Sequence, residues 1–313
     1  MTNLSEFTFL SSDGKTQLHG MLWEPEGVAV RAVLQICHGV AEHIARYDDF
    51  ARALNEQGIV VAGHDHLGHG KSLPEGGTPV YFGDGNTWNT VVDDIYVLHQ
   101  RLKQRYPDVP LCIMGHSMGS FLTRTYLIRY PGTVKAAVIM GTGWQPRAAI
   151  TGGLALANAI AAVSGENATS ELVTELAFGS YNKLFAPNRT KVDWLSADES
   201  NVDDYIADPL CGADATVGLF RQMLHGIRFN QRQSHLRQMD REMPVLFVAG
   251  DKDPVGNCGK GVRQTYDAFR AAGMRDCTLK LYPGLRHEIL NEKAYTADIT
   301  KNIEAWLLSR LEK

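Results

Sequence analysis

The segment Met114-Gly115-His116-Ser117-Met118-Gly119 is the strongest indication of the fold in this sequence. It has the form G-x-S-x-G, follows the apolar run Leu111–Met114 and precedes the helical pattern of Phe121–Tyr130. A strand, a sharp turn and a helix in this order raise a serine hydroxyl above the carboxyl edge of a sheet, and the flanking glycines give the turn room. The stretch therefore predicts Ser117 as a nucleophile; the alternative is an ordinary serine N-cap of a helix.

Outward from this motif, short apolar runs alternate with helical patterns. The predicted strands are Ala32–Cys37, Ile59–Ala62, Leu111–Met114, Ala136–Met140, Val245–Ala249 and Thr278–Tyr282. The predicted helices are Tyr47–Gln57, Trp88–Arg105, Ser117–Tyr130, Val262–Ala272 and Ile299–Leu311, and a β-hairpin turns at Ser12–Lys15. Runs that are apolar on both faces are typical of a covered parallel sheet. The order predicts an α/β fold with a doubly wound, mostly parallel sheet.

This alternation stops between residues 144 and 235. The segment contains helical patterns at Leu154–Val163, Glu171–Phe178 and Val217–Arg228 and no convincing strand. We expect a helical cap insertion over the edge of the sheet. The predicted organisation is a first core part (1–143), the cap (144–235) and a second core part (236–313).

A serine nucleophile needs a base and an acid that orients it, and in this fold class the acid and then the histidine follow the serine in the chain. His287 follows a predicted strand and is the only histidine after residue 235, although a surface-loop histidine is the alternative. Asp251 and Asp253 both follow the strand Val245–Ala249. Asp253 is preferred because it lies further from the strand and precedes a proline, and Asp251 is interpreted as a turn residue.

The remaining requirement is an oxyanion hole made by two backbone N–H groups. Met118, directly after the nucleophile, is one predicted donor. The segment His38–His43 after the first core strand supplies the other, because Gly39 lets the chain turn back and leaves the N–H of Val40 facing the serine. The side chains of His38, Glu42 and His43 are expected to hold this loop by hydrogen bonds.

Composition excludes several other functions. The net charge is −4 with no Lys/Arg run, which argues against nucleic-acid binding, and no glycine string has a nucleotide-binding pattern. His64, His66 and His69 lie close in sequence but match no zinc spacing, so we expect a hydrogen-bonded loop, no metal and no cofactor.

Features of localisation agree with a cytoplasmic protein. The five scattered cysteines suggest reduced thiols. The N-terminus has no signal-peptide pattern, and the absence of a run of about 18 apolar residues predicts no membrane span. The sequence carries no signal for an oligomeric state.

These motifs together resemble the monoacylglycerol lipase and lysophospholipase-like group of α/β-hydrolases, which shares its fold with serine aminopeptidases. The matching strings are HGVAEH (38–43), DHLGHGKS (65–72), MGHSMGS (114–120), AGDKDPV (249–255) and YPGLRHEIL (282–290). The resemblance implies an α/β-hydrolase fold, a triad of Ser117, Asp253 and His287, and oxyanion donors at Val40 and Met118. One departure is Val40-Ala41, where the group commonly has smaller residues, and the bulkier valine narrows the acyl site.

The predicted activity is hydrolysis of small-molecule acyl esters such as monoacylglycerols or lysophospholipids. We expect Gly39, His116 and Trp144 to line the substrate pocket, and the apolar segment Ile150–Val163 to be either a lid that touches lipid transiently or a buried cap helix. Three alternatives remain open: an aminopeptidase that binds its substrate's amine with Glu166, Glu171 and Glu175; an acyltransferase or thioesterase; and a non-catalytic binding module.

Overall fold

An eight-stranded sheet forms the centre of the computed structural model, which describes residues 2–311. The strands are β1 (Thr2–Leu10), β2 (Gln17–Pro25), β3 (Ala32–Cys37), β4 (Ile59–His64), β5 (Leu111–His116), β6 (Ala136–Met140), β7 (Val245–Gly250) and β8 (Cys277–Tyr282). Their spatial order is β1-β2-β4-β3-β5-β6-β7-β8. The pairs from β4 through β8 are parallel, whereas β1 pairs antiparallel with β2 and β2 with β4. The predicted hairpin and mostly parallel sheet are confirmed.

Helices cover both faces of this sheet. They are α1 (Asp48–Asn55), α2 (Thr87–Arg105), α3 (Met118–Arg129), α4 (Arg147–Ser164), α5 (Glu171–Thr174), α6 (Ser180–Lys183), α7 (Glu199–Ala207), α8 (Val217–Asn230), α9 (Gln233–Leu236), α10 (Lys260–Ala272) and α11 (Thr296–Leu311). Short 3-10 turns lie at Ile44–Tyr47, Gly70–Ser72, Asp193–Leu195 and Ile289–Asn291. The predicted core helices and strands are all present, with ends that differ by a few residues.

Two apolar clusters pack on opposite faces of the sheet. One contains side chains of α2, α3 and α10, and the other contains side chains of α1 and α11. Strands β3, β4, β5 and β7 are buried at every position because helices cover them on both sides. The carboxyl ends of these strands therefore share one rigid edge, where the loops after β3, β5 and β7 meet.

Helices α4 to α9 occupy the chain between β6 and β7, within and just beyond the predicted cap. The expected helix Glu171–Phe178 is wrong in detail, because a π-helical turn at Glu175–Gly179 separates α5 from α6. An isolated antiparallel bridge joins Thr169 to Thr216. The division into core and cap domains stays a prediction.

Helix α4 changes two expectations from the sequence. It has 18 residues and a mean hydropathy of 1.3, so by length and composition alone it could cross a membrane, contrary to the prediction that the chain has no such segment. Only Ile150, Leu154 and Ala157 of α4 are buried. The segment is therefore largely exposed, and the interpretation of a buried cap helix does not describe it.

Candidate active site

The turn between β5 and α3 holds Ser117 in a strained conformation. Its backbone has φ 54° and ψ −121°, which is unusual for a residue with a side chain. A Cβ on Gly115 would lie 2.2 Å from Gly119 O, and one on Gly119 would lie 2.0 Å from Cys37 O. Both glycines are therefore required by the close approach of the turn, α3 and the end of β3. Ser117 N–H donates to Met140 O (3.0 Å), which ties the turn to β6.

The loop after β3 lies directly against this serine. A Cβ on Gly39 would come within 3.1 Å of Ser117 Cβ. Gly39 N–H donates to Glu42 Oε1, so that amide is taken by a side chain within the loop. Val40 follows with its amide, and Ala41 turns the chain with φ 53°. Met118 is the first residue of α3, where a backbone N–H has no acceptor within its own helix.

The loop after β7 carries both candidate acids, and they have different partners. Asp253 is fully buried, and its Oδ1 lies 3.0 Å from His287 Nδ1 and accepts the N–H of Val255 (2.9 Å). Asp251 instead accepts the N–H of Gly284 through Oδ1 (2.8 Å). Asp251 therefore ties the β7 loop to the turn before His287, and Asp253 is the carboxylate that reaches the imidazole.

His287 is 2% exposed and is enclosed by aromatic rings. Its ring centroid lies 4.7 Å from that of His116 and 5.1 Å from that of Trp194. A Cβ on Gly141 would lie 3.0 Å from His287 Cε1, so glycine leaves room for the ring. Because Nδ1 faces a carboxylate, it carries the proton in the neutral imidazole, and Nε2 is free to act as a base.

A cavity of about 490 Å³ is lined by Ser117 and His287 together. Gly39, Val40 and His116 also line it. We name it the main chamber; its other lining includes Glu42, Lys191, Tyr205, Cys211 and Asp214. Three segments distant in sequence thus bring the Ser117 side chain, the His287 imidazole and the Val40 loop to one solvent-accessible space.

A second cavity of about 230 Å³ is also lined by Ser117. Ser117, Val40, Phe178 and Trp194 border both cavities. We name this one the apolar chamber, because its remaining lining is mostly hydrocarbon: Met118, Phe121, Ala149, Ile150, Leu176, Ala177, Tyr181, Phe220, Met223, Leu224, Ile227 and Val255, with Gln145 and Ser180. Ser117 therefore lines two cavities, one whose lining includes charged side chains and one whose lining includes none.

Trp144 is not among the residues that line either chamber. Its backbone packs near Gly261 instead, where an added Cβ would lie 2.9 Å from Trp144 N. Trp194 lines both chambers and contacts His287, but sequence reasoning missed it. No signal in the sequence marks Trp194, because it lies in a short 3-10 turn far from every motif.

A buried ionic network lies behind His287. His116 Nδ1 donates to Glu42 Oε1 (3.2 Å), and His116 Nε2 donates to the carbonyl of His287 (3.3 Å). Arg46 contacts Glu42 Oε2 (3.0 Å) and pairs with both carboxylate oxygens of Glu288 (2.7 Å each). The network joins the loop after β3 to the loop that carries the imidazole.

The charges in this network support one another. Burial alone would lower the pKa of His116, but the hydrogen bond and charge of Glu42 raise it. Burial would raise the pKa of Glu42, yet the contacts of His116 and Arg46 hold it well below its usual value. An imidazolium at His116 uses both of its donors here. The sequence predicts that Glu42 holds the loop after β3, and the hydrogen bond that it accepts from Gly39 N–H agrees. The link from Glu42 through His116 to His287 has no signal in the sequence.

The histidine-rich segment after β4 is held mainly by Asp65. Its carboxylate accepts from His19 Nδ1 (2.9 Å), Ile44 N–H (2.8 Å) and Lys71 N–H (2.9 Å). The expected hydrogen-bonded loop is therefore correct for the backbone. The ring nitrogens of His64 and His66 have no hydrogen-bond partner within residues 2–311, so these imidazoles pack as neutral rings.

The sequence matches the family Hydrolase_4, described as serine aminopeptidase, S33, over residues 28–294. It is 31% identical to a monoacylglycerol lipase of Mycolicibacterium smegmatis over 312 residues, covering 98% of each chain. It is 28% identical to a monoglyceride lipase of Mus musculus, covering 96% of this chain and 90% of that one. A thermostable carboxyl esterase from Bacillus coagulans, solved with glycerol, superposes with a TM-score of 0.92 at 26% identity, covering 99% and 100% of the two chains.

Proposed function

The chain belongs to the serine aminopeptidase (S33) family and is a serine-type ester hydrolase, and on that premise we propose that it cleaves single-chain acyl esters, monoacylglycerols above all, with Ser117, His287 and Asp253. The observation that carries the proposal is that His287, whose Nδ1 contacts Asp253, lines the same chamber as Ser117. Lysophospholipids are the second substrate class that the same arrangement accommodates.

The proposed reaction has two steps. His287 Nε2 takes the Ser117 proton as Oγ attacks the ester carbonyl, and the N–H groups of Val40 and Met118 hold the oxyanion. The tetrahedral intermediate collapses to an acyl-enzyme, and His287 returns the proton to the leaving alcohol. Water then loses a proton to His287, attacks the acyl carbon and releases the acid with Ser117 restored. Asp253 keeps the imidazole in the right tautomer and stabilises its charged form.

The two chambers suggest how the substrate lies. His287 lines the main chamber and must protonate the leaving oxygen, so the alcohol part belongs there. Glu42, Lys191 and Asp214 give that chamber polar groups for a hydroxylated alcohol. The acyl chain then enters the apolar chamber past Met118. A small polar alcohol with one acyl chain, as in a monoacylglycerol, fits this division.

The peptidase alternative has weaker support. Among the glutamates considered for amine binding, Glu166 pairs with Arg221 and Glu175 pairs with Lys183 (2.7 Å), and Glu171 is exposed. None of the three lines the main or the apolar chamber. A free substrate amine in the main chamber would therefore not meet the carboxylates that the sequence suggested for it.

The location and surface contacts form part of the same proposal. All five cysteines are free, which agrees with a reducing cytoplasm. Large apolar side chains are exposed on the chain between β6 and β7, including Val163 (88%), Leu172 (54%) and Leu184 (60%). We propose that these exposed apolar side chains, together called the exposed apolar face, touch lipid aggregates transiently while the substrate transfers to the active site.

A panel of substrates tests the proposal. Purified protein is assayed on monoacylglycerols graded from two to sixteen acyl carbons, an aminoacyl-naphthylamide and an acyl thioester, with competing alcohols to detect acyl transfer. We expect hydrolysis of the monoacylglycerols above all other substrates. Faster cleavage of the amide would support the peptidase, and esters formed with the alcohols would support an acyltransferase.

Labelling by a fluorophosphonate addresses the nucleophile itself. Ser117→Ala should lose both labelling and turnover while it keeps the wild-type melting temperature. Ser120→Ala is the matched control, because Ser120 is a buried serine three residues along whose hydroxyl only donates to Ser117 O (2.6 Å). Labelling that persists in Ser117→Ala would contradict the assignment, and a wild-type protein that is neither labelled nor active would indicate a binding module.

A further inference from the structure

Three side chains with metal-binding atoms meet beside the loop that carries Val40. They are His43, Asp208 and Cys211, and their ligand atoms all lie within 4.8 Å of one another. His43 Nε2 and Asp208 Oδ2 are 2.8 Å apart. The side chains of His43 and Asp208 are 10% and 28% exposed, so the group is shielded and still reachable from solvent.

The local backbone orients these atoms toward each other. Asp208 follows directly after α7, and the N–H of Cys211 donates to Asp208 O (3.1 Å), which closes a turn. The N–H of Leu210 donates to Asp208 Oδ1 (2.8 Å). That bond leaves Oδ2 directed at His43. His43 ends the loop after β3 and directly precedes the turn Ile44–Tyr47.

We propose that His43, Asp208 and Cys211 bind a thiophilic divalent cation of the Zn²⁺ type. Imidazole nitrogen, carboxylate oxygen and thiolate sulfur are the ligands that Zn²⁺ takes in proteins, at about 2.0–2.3 Å. Two such nitrogen and oxygen ligands on a tetrahedral ion lie about 3.3 Å apart by those bond lengths. The His43–Asp208 separation needs only a small expansion, and the fourth position is left for solvent.

The cation replaces protons in this group. A metal binds cysteine as its thiolate and histidine as its neutral imidazole, so both side chains must be deprotonated to act as ligands. Binding therefore releases the thiol proton to solvent as the metal–sulfur bond forms, and the affinity rises with pH. The positive charge of nearby Arg46 repels a metal cation. This repulsion is offset because Arg46 forms ion pairs with the carboxylates of Glu288 and Glu42.

The site joins two segments that the active site depends on. Gly212 N–H and the Tyr205 hydroxyl both donate to Ala41 O (3.0 Å each), so the chain around Cys211 already holds the loop of Val40. Cys211 itself lines the main chamber. A bound cation would cross-link this chain segment to the loop and stabilise the folded protein by mass action.

Titration with Cd²⁺ and Zn²⁺ tests the inference without using activity. Protein treated with a chelator is titrated by calorimetry, and Cd²⁺ binding is followed by thiolate-to-metal absorption in the ultraviolet. We expect one equivalent bound, a thiolate band, a higher melting temperature and tighter binding at higher pH. Binding of several weak equivalents without a thiolate band would overturn the proposal.

Paired variants locate the site. Cys211→Ser and His43→Gln should each lower the affinity at least tenfold, and Cys211→Ser should also remove the thiolate band. Cys258→Ser, which removes an exposed cysteine elsewhere, is the control and should bind as the wild type does. Circular dichroism of each metal-free variant shows whether it is folded; if Cys211→Ser fails to fold, alkylation of the intact protein mapped to Cys211 replaces it. Wild-type metal affinity in Cys211→Ser, or in protein alkylated at Cys211, would refute the assignment. Loss of metal binding in Cys258→Ser would refute it as well.

Discussion

Strand β5 and helix α4 are separated by about 30 residues of chain and differ in how far their residues are buried. Every residue of β5 is buried, whereas three of the 18 residues of α4 are. Side chains at the end of β5 are fixed by contacts from all directions, so a reacting group there keeps its position. Helix α4 packs against α8 and leaves most of its other residues exposed, and exposed segments open locally more readily than a buried strand. The difference separates a buried strand that ends at the proposed nucleophile from an exposed helix that borders the apolar chamber.

The largest expected effect is on kcat, and it distinguishes the two carboxylates after β7, Asp253 and Asp251. Asp253→Asn should lower kcat by about 10⁴-fold, because the imidazole loses the acceptor that fixes its tautomer. Asp251→Asn should change kcat only a few-fold, since that carboxylate binds the backbone of Gly284. Steady-state kinetics on a short ester measure both. Equal losses in the two variants would contradict the assignment of Asp253.

Two glycine substitutions compare the sheet edge with α4 directly. Gly119→Ala places a Cβ 2.0 Å from Cys37 O and should destabilise the protein by about 3 kcal/mol or more. Gly152→Ala in α4 meets no atom within 4 Å and should stabilise it by up to about 1 kcal/mol through helix propensity. Urea unfolding monitored by circular dichroism gives both free energies. A neutral Gly119→Ala would show that the edge is looser than its contacts indicate.

Acid should destabilise the folded protein through the buried histidines at the end of β4 and in the loop that follows it. Burial lowers the pKa of His64 and of His69 to about 3 and that of His66 well below its usual value. Because the folded form binds fewer protons than the unfolded chain, stability is lost as the pH falls from about 6.5 toward 3. Each of these imidazoles contributes up to about 1.4 kcal/mol per pH unit.

Replacing one of these histidines sharpens that test. His64 packs its ring against Phe9 (5.3 Å between centroids) and has no hydrogen-bond partner in the described chain, so His64→Phe should shift the acid-unfolding midpoint to lower pH. His225→Phe, at a partly exposed position of α8, should shift it less. Melting temperatures of the wild type and both variants, measured between pH 4 and pH 8, show how far each substitution shifts the loss of stability in acid. An unchanged or higher midpoint in His64→Phe would exclude this cause of acid lability.

The smallest expected effect concerns the exposed apolar face. Replacing Leu172 and Leu184 with serine should lower the rate on emulsified monoacylglycerol several-fold and leave hydrolysis of a soluble short ester unchanged, because only the interface contact is lost. Leu4→Ser, at an exposed position of β1, is the control (38% exposed). Equal rates on the emulsion for all three proteins would remove the proposed lipid contact.

Local sequence patterns were enough to predict the order of the strands along the chain and the nature of the reactive groups. G-x-S-x-G around Ser117, HG at His38 and Gly39, and a lone late histidine at position 287 are local signals, because turns and strand ends require particular residues at fixed spacing. Alternation of apolar runs predicted the parallel sheet for the same reason. Asp251 and Asp253 were harder to separate, since both satisfy the local pattern.

Which of these groups are in contact became known from the folded arrangement of the chain. The bond from Asp253 to His287, the link from Glu42 through His116 to the carbonyl of His287, and the position of Trp194 all join residues that are distant in the chain. Such contacts depend on how helices pack over the sheet, which a local pattern does not encode. The same reason explains why Trp144 was expected at the chambers and lies outside them, and why His43, Asp208 and Cys211 showed no metal-binding spacing in the sequence.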